Sequence, residues 1–355
     1  MTPDDGAAVD LLTSMLRTPS LCGEEDAIAA LLIEAMTDLG FDACRDGAGN
    51  LVGTLHPAQR SDNAGEVVIL GHMDTVPGSI EVENYDGALY GRGAVDAKGP
   101  LATAIVAAAR AAPQVRRDVT VIGAVQEEGP SAGARFLTQR RAPEYLVIAE
   151  PSGWDSIVLG YKGSMRFRVE VAVAGGHSAG PLPSAPEIAV GFWNDLVAWC
   201  SHRIVAGEQN AAFFALTPSL LAMNSSHNGI EDVATLHIGL RLPPELEPSA
   251  LQPEIEALLP YGAFSFSPGE PAVRSGKGNP LVASFLRSIR LEDGNPRFKL
   301  KTGTSDMNVV GPVWNCPTVA YGPGDSSLDH TPEEHVKVDE YLRGIRVLTR
   351  VLEEL

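Results

Sequence analysis

The sequence predicts an α/β catalytic domain interrupted by an inserted ferredoxin-like α+β domain, and three observations carry that reading. Apolar runs at residues 67–70, 119–125 and 145–149, with an alanine-rich helical stretch at 101–112 between the first two, have the alternation of a layered α/β sheet. After Gly160 the pattern changes. Met165, Phe167, Val169, Val171 and Val173 alternate with Arg166, Arg168, Glu170 and Ala172, the signature of a strand with one buried face. Helical spacing then returns at Leu281, Val282, Phe285, Leu286 and Ile289, where the first domain resumes. The expected boundaries are 1–161 and 272–355 for the catalytic domain and 162–271 for the insert.

In chain order, Thr2-Pro3-Asp4-Asp5 opens as a helix start, without the basic and apolar regions of a targeting segment. No apolar run reaches membrane-spanning length, so a soluble, cytoplasmic protein is expected. Residues 20–40 read as an amphipathic helix with Ile28, Leu31, Leu32, Ala35, Met36 and Leu39 on its apolar face and Gly40 closing its end. Within the insert, a strand at 165–173, a helix at 185–203, strands at 213–223 and 233–242, a helix at 245–259 and a strand at 263–267 give the order β-α-β-β-α-β of a ferredoxin-like unit. The chain closes in a helix carrying Leu342, Ile345, Leu348 and Leu352.

Composition limits the functions open to the chain. With 355 residues, 44% of them hydrophobic, it can fill two cores. A net charge of -18 and the lack of a basic stripe argue against nucleic acid and anionic membrane as partners. Cys22, Cys44, Cys200 and Cys316 are scattered without a C-x-x-C pair, so free thiols are expected rather than a disulfide framework or a zinc knuckle.

The chemistry lies in an ordered set of metal-type ligands and helper acids, His72, Asp74, Asp96, Glu127, Glu128, Glu150 and His330, most of which follow an apolar run or a glycine-rich turn. Open α/β sheets bind ligands beyond their strand ends. His72 and Asp74 stand at i and i+2, so on extended backbone they face the same way and Asp74 can accept a hydrogen bond from the imidazole. Asp96 lies in a glycine-rich turn before a helix, where a short carboxylate serves either as a helix cap or as a bridge between two cations. Glu127 and Glu128 repel each other unless a positive charge holds them, which suits a ligand beside a general base. Taken singly, Glu150 reads equally as a loop acid and His330 as a surface histidine. Together, Asp96, Glu128 and Glu150 offset most of the charge of two divalent ions. Mixed imidazole and carboxylate ligands suit zinc, with cobalt or manganese as substitutes. The reaction expected is metal-assisted hydrolysis, with Glu127 moving a proton from water to the leaving amine.

Gly71-His72-Met73-Asp74-Thr75-Val76-Pro77, Gly91-Arg92-Gly93 through Asp96, Glu127-Glu128-Gly129, Glu150-Pro151 and Asp329-His330 resemble, in order, the signature blocks of the ArgE/DapE/carboxypeptidase-G superfamily of zinc amidohydrolases. The resemblance covers nearly the whole chain. It implies a zinc-peptidase-like catalytic domain in which one zinc takes His72, Asp96 and Glu150 and the other takes Asp96, Glu128 and His330. It further implies Glu127 as general base and Asp74 as the acid supporting the first histidine. The insert then corresponds to a lid and dimerisation domain of a homodimer. Within it, Gly175-Gly176-His177-Ser178 matches the motif whose histidine completes the oxyanion pocket, often from the partner subunit. Gly303-Thr304-Ser305-Asp306 resembles the family's late substrate-binding turn. Arg241 shares the polar face of its strand with Thr235 and His237, where it meets either solvent or a substrate carboxylate.

Asp96-Ala97-Lys98-Gly99-Pro100 departs from the superfamily's frequent Asp-Met-Lys-Gly-Gly and resembles the branch that frees lysine or ornithine from an amino-group carrier protein. That branch implies cleavage of the amide between the carrier's C-terminal glutamate side chain and the α-amine of lysine, the last step of carrier-protected lysine or arginine biosynthesis. The alternatives are a deacylase of acetylornithine, acetyllysine or succinyl-diaminopimelate, and a dipeptidase. Docking an acidic carrier on an acidic enzyme calls for a local basic patch, with Arg116, Arg117, Arg140 and Arg141 as candidates.

Overall fold

Helix Lys98–Ala111 explains much of the first compact unit, because nearly every one of its residues is buried. It lies against the sheet on one side and helix Val338–Glu354 on the other, and alanine side chains permit the close approach. The computed structural model describes residues 2–61, 64–177, 179–203 and 211–355. Its first unit comprises Met1–Gly160, Ser275–Lys299 and Ser305–Leu355, and its second Tyr161–Arg274 and Leu300–Thr304.

The sheet of the first unit runs in the order Asp42–Arg45, Leu51–Leu55, Val119–Ala124, Val67–His72, Tyr145–Ile148, Thr318–Ala320, Ser156–Tyr161. The four strands Val119–Ala124, Val67–His72, Tyr145–Ile148 and Thr318–Ala320 are mutually parallel, and the flanking strands join antiparallel. All six residues of Val67–His72 and of Val119–Ala124 are buried, which accounts for their continuous apolar runs. Helix Asp5–Arg17 begins where Asp4 accepts a hydrogen bond from the Ala7 N–H at 2.8 Å. Its last carbonyls are met by Lys98, whose buried ammonium donates to the Met15 and Thr18 carbonyl oxygens at 3.0 and 2.8 Å.

The helix expected over 20–40 is shorter, spanning Asp26–Asp38. Its N-terminal stretch is taken by sheet-like contacts instead. The Ser20 hydroxyl donates to the Met73 carbonyl at 2.7 Å and Leu21 bridges to Thr75. At the other end Gly40 takes φ 91° and Phe41 N–H donates to the Met36 carbonyl at 3.0 Å, a left-handed stop that a glycine supplies without strain.

The second unit is a four-stranded antiparallel sheet in the order Thr217–His227, Glu231–Leu242, Gly163–Ala174, Ala263–Phe266, with helices Ala185–Ser201 and Pro248–Glu256. That connectivity is ferredoxin-like. The strand expected at 213–223 starts later, at Thr217, because Phe213 and Phe214 are buried edge to face, 5.1 Å between ring centres. Met165, Phe167, Val169 and Val171 pack with Ala234, Leu236, Ile238 and Leu240 against Phe192, Leu196, Leu251 and Ile255. No described helix is long and apolar enough to cross a membrane.

Candidate metal centre

Three neighbouring parallel strands deliver chemistry-bearing side chains at one edge of the first unit's sheet. His72 is the last residue of Val67–His72, Glu127 and Glu128 lie in the turn after Val119–Ala124, and Glu150 follows Tyr145–Ile148. Asp96 reaches the same place from the turn before helix Lys98–Ala111. The backbone gets there through Gly91 and Gly93 at φ 156° and 87°, and a Cβ on Gly93 would stand 2.9 Å from Thr75 Cγ2.

The two oxygens of Asp96 face two different imidazoles: Oδ1 lies 3.1 Å from His72 Nε2 and Oδ2 lies 3.0 Å from His330 Nε2. Each histidine also has its own glutamate, Glu150 Oε1 at 3.8 Å from His72 Nε2 and Glu128 Oε1 at 3.0 Å from His330 Nε2. The donors therefore fall into two groups of one imidazole and two carboxylates that share Asp96, and such groups fit divalent cations. The ligand atoms of His72, Asp96 and Glu128 lie within 4.8 Å of one another, close enough to hold an ion.

Asp74 does more than orient a ring. His72 Nδ1 donates to the Asp74 main-chain carbonyl at 2.9 Å, with the Asp74 carboxylate farther away at 3.4 Å, so Nε2 is turned toward Asp96. The carboxylate instead accepts the N–H of Glu127 at 3.1 Å and of Glu128 at 3.0 Å. It thus braces the turn that carries both glutamates. Burial alone would raise the Asp74 carboxyl, but these donors and His72 outweigh it and hold its pKa below the usual carboxylate range.

Electrostatically the centre has too much negative charge in too little water. Burial, together with Asp306, Glu150 and Asp96, drives the Glu127 carboxyl well above its ordinary pKa against the pull of His72. Burial and Asp96 raise Glu128 as well. Asp96 goes the other way, because hydrogen bonds to His330 and His72 overcome its burial. His330 is raised to about 9, chiefly by its bond to Asp96. For His72, burial opposes protonation, but Asp74 and Asp96 prevail and lift its pKa above the usual histidine range. Carboxylates packed this tightly are relieved by a positive charge placed among them.

Several residues that the sequence reading did not single out position this edge. Glu334 is fully buried and accepts the N–H groups of Val95 and Asp96, each at 3.0 Å, and the guanidinium of Arg92 at 2.7 Å. Glu25 accepts the Gln126 N–H at 3.0 Å and Asn50 the Val125 N–H at 3.0 Å. They hold a turn in which Gln126 adopts φ 62°, a left-handed conformation costing a non-glycine residue roughly 1 kcal/mol or more. Their contacts span many residues of sequence, so no local pattern announces them.

The remaining site candidates lie mostly in the second unit. His177 is exposed and its Nδ1 accepts the Ala179 N–H at 3.1 Å, while its motif neighbour Ser178 lies outside the described residues. Arg241 Nη1 donates to Thr304 Oγ1 at 3.1 Å, which brings together two residues proposed from separate motifs. Gly303 is partly buried beside Thr304. Ser305, in the first unit, caps helix Asp306–Trp314 by accepting the Met307 N–H at 3.2 Å.

The arginines considered for a docking patch lie at the opposite ends of the strands from this edge. Arg116 and Arg117 precede strand Val119–Ala124, and Arg140 and Arg141 precede Tyr145–Ile148, so all four lie where the parallel strands begin. Six residues of strand separate the two edges by about 20 Å. Arg117 is also paired with Glu144 at 2.7 Å and Arg140 with Glu66 at 3.3 Å.

Comparison with known proteins follows the same geometry. The chain is 44% identical over 361 residues to a Deinococcus radiodurans protein named "[LysW]-lysine hydrolase", covering 100% of this chain and 98% of the relative. It is 30% identical over 295 residues to a Saccharolobus islandicus "[LysW]-lysine/[LysW]-ornithine hydrolase", with 82% of each chain covered. Among solved structures, the M20 family metallo-carboxypeptidase Sso-CP2 from Sulfolobus solfataricus shares the fold, with a TM-score of 0.76 at 20% identity over 98% of both chains. A family model described as peptidase family M20/M25/M40 matches residues 68–354. With that match spanning most of its length, the chain belongs to peptidase family M20/M25/M40.

Proposed function

We propose that this protein is a metal-dependent amidohydrolase that releases lysine, and ornithine as a second product, from the amide that joins it to the C-terminal glutamate of an amino-group carrier protein. The observation that carries the reading is the Asp96 carboxylate set between two imidazoles, each with its own glutamate, in a chain 44% identical end to end to a [LysW]-lysine hydrolase. In this reading His72, Asp96 and Glu150 hold one zinc ion and Asp96, Glu128 and His330 the other. Bound there, the ions would lower the pKa of water and polarise the amide carbonyl.

The chain's own residues supply the rest. Glu127, whose raised pKa suits a group that both takes and gives a proton, accepts one from the attacking water and passes it to the α-nitrogen of lysine as the carbon–nitrogen bond breaks. Asp74 keeps Glu127 and Glu128 at their places through the two N–H bonds. Arg241, held toward Thr304, binds a substrate carboxylate, with Gly303 and Ser305 lining the same turn. His177 is assigned to the oxyanion pocket. The second unit, residues 162–271 in the sequence division, acts as lid and dimerisation domain. Its edge strand Thr217–His227 carries exposed Leu221 and Met223 and, among the described residues, pairs on one side only, which supports a homodimer. Four free cysteines suit the reducing cytoplasm.

The deciding experiment compares free lysine released from carrier-linked lysine with that released from N-acetyl-lysine by the same metal-loaded preparation. Carrier-linked lysine is expected to turn over far faster. Equal or better turnover of the acetyl compound would reject the carrier as substrate and leave a small-molecule deacylase.

A further inference from the structure

We infer that Glu334 is a positioning residue, a strut that sets the distance between the Asp96 carboxylate and the His330 imidazole. The inference rests on the reading of that pair as shared metal donors and deepens it. Glu334 has no exposed surface, and within the first unit its side chain joins both donor-bearing segments. Oε1 accepts the N–H groups of Val95 and of Asp96 itself, each at 3.0 Å. Oε2 accepts Arg92 Nη1 at 2.7 Å, and the same nitrogen donates to the carbonyl of Thr331, the residue after His330, at 3.2 Å. Arg92 Nε fixes the other side by donating to the Gly78 carbonyl at 3.2 Å. The Glu334 carbonyl accepts the Gly91 N–H at 3.3 Å, at the start of the turn that leads to Asp96.

The need for such a strut follows from the backbone. His330 is not on a strand or helix; it adopts φ 61° in a turn, and half of its side chain is exposed. Asp96 likewise sits in a turn rather than inside a regular element. The antiparallel ladder of Ala88–Tyr90 with His335–Lys337 brings the two segments together but stops short of both donors, and does not itself fix the distance between the Asp96 carboxylate and the His330 ring. A buried carboxylate bonded to one turn and, through a guanidinium, to the other does so, in the way groups behind metal ligands commonly fix ligand orientation.

Two variants break the strut in different ways. Glu334→Gln keeps the length and one oxygen for the two N–H groups but turns an NH2 toward the Arg92 guanidinium, which cuts the arm to Thr331, while Glu334→Asp keeps the charge but is one methylene too short. Metal-free full-length protein is titrated with cobalt(II) by visible absorption, and its melting temperature is measured separately. The expected result is cobalt binding weakened about 10- to 100-fold in both variants. Parent-like cobalt affinity in Glu334→Asp, whatever its melting temperature, would show a merely structural role and overturn the inference. Parent-like affinity in Glu334→Gln would show that the arm through Arg92 is not needed and would overturn the inference as well. A parent chain that takes up no cobalt would reject the metal centre itself, which is a different outcome from either.

Discussion

The two halves of the centre are built differently. His72 ends a strand paired on both sides, its side chain is 1% exposed, and its ring is fixed by the Asp74 carbonyl. His330 stands in a turn with its side chain 50% exposed, and it depends on contacts from distant segments for its place. One half is therefore formed by the same forces that build the sheet, whereas the other has to be held. Burial makes the first half costly to alter, and exposure makes the second easy to alter but easy to displace.

Replacing the group common to both halves should have the largest effect. Asp96→Ala is expected to empty the centre and abolish turnover, read by elemental analysis alongside lysine release; retention of a full metal complement would dismantle the shared-carboxylate picture. Glu127→Gln tests the chemistry without the scaffold. Its kcat should fall by about 10²- to 10⁴-fold while metal content stays at the parent level, and parallel loss of metal would deny it a separate role.

The comparison itself is sharpened by the two histidines. Both His72→Ala and His330→Ala should lose metal, but in urea unfolding of the metal-free protein His72→Ala should destabilise the fold more, by about 1–3 kcal/mol, because it strands fully buried polar partners. His330→Ala is expected to cost less, because half of that side chain is exposed and water reaches the carboxylates it leaves. Equal destabilisation by both would erase the distinction drawn here. The most local effect belongs to the second unit: Leu236→Ala, in its apolar core, should cost about 2–5 kcal/mol with metal content of the folded protein unchanged.

Much of this was readable in one dimension because the signals are local. Alternation at Met165, Phe167, Val169 and Val171 places one face of a strand in a core, and the order of elements around it leads to the ferredoxin-like connectivity seen in the second unit. The apolar runs before His72, Glu127 and Glu150 have strand composition, so their ends could be located before any coordinates. The first turn of the helix expected at 20–40 failed for the opposite reason. Ser20 and Leu21 are claimed by Met73 and Thr75, some fifty residues away, and a long-range pairing overrode a short-range pattern.

What the sequence determined by itself is the alternation of strands and helices in the second unit, the three apolar strands of the first, and which side chains with metal-binding chemistry stand at their ends, since these follow from periodicity and residue type. Only the tertiary structure decided that His330 meets Glu128 across 202 residues and that Asp96 turns one oxygen to each histidine. It also decided that Asp74 serves the Glu127 turn and that Glu334 fastens two turns together. Those are contacts between segments whose separation along the chain carries no imprint of their distance in space. They are set when the strands pair in register and the connecting turns are buried with their hydrogen bonds satisfied.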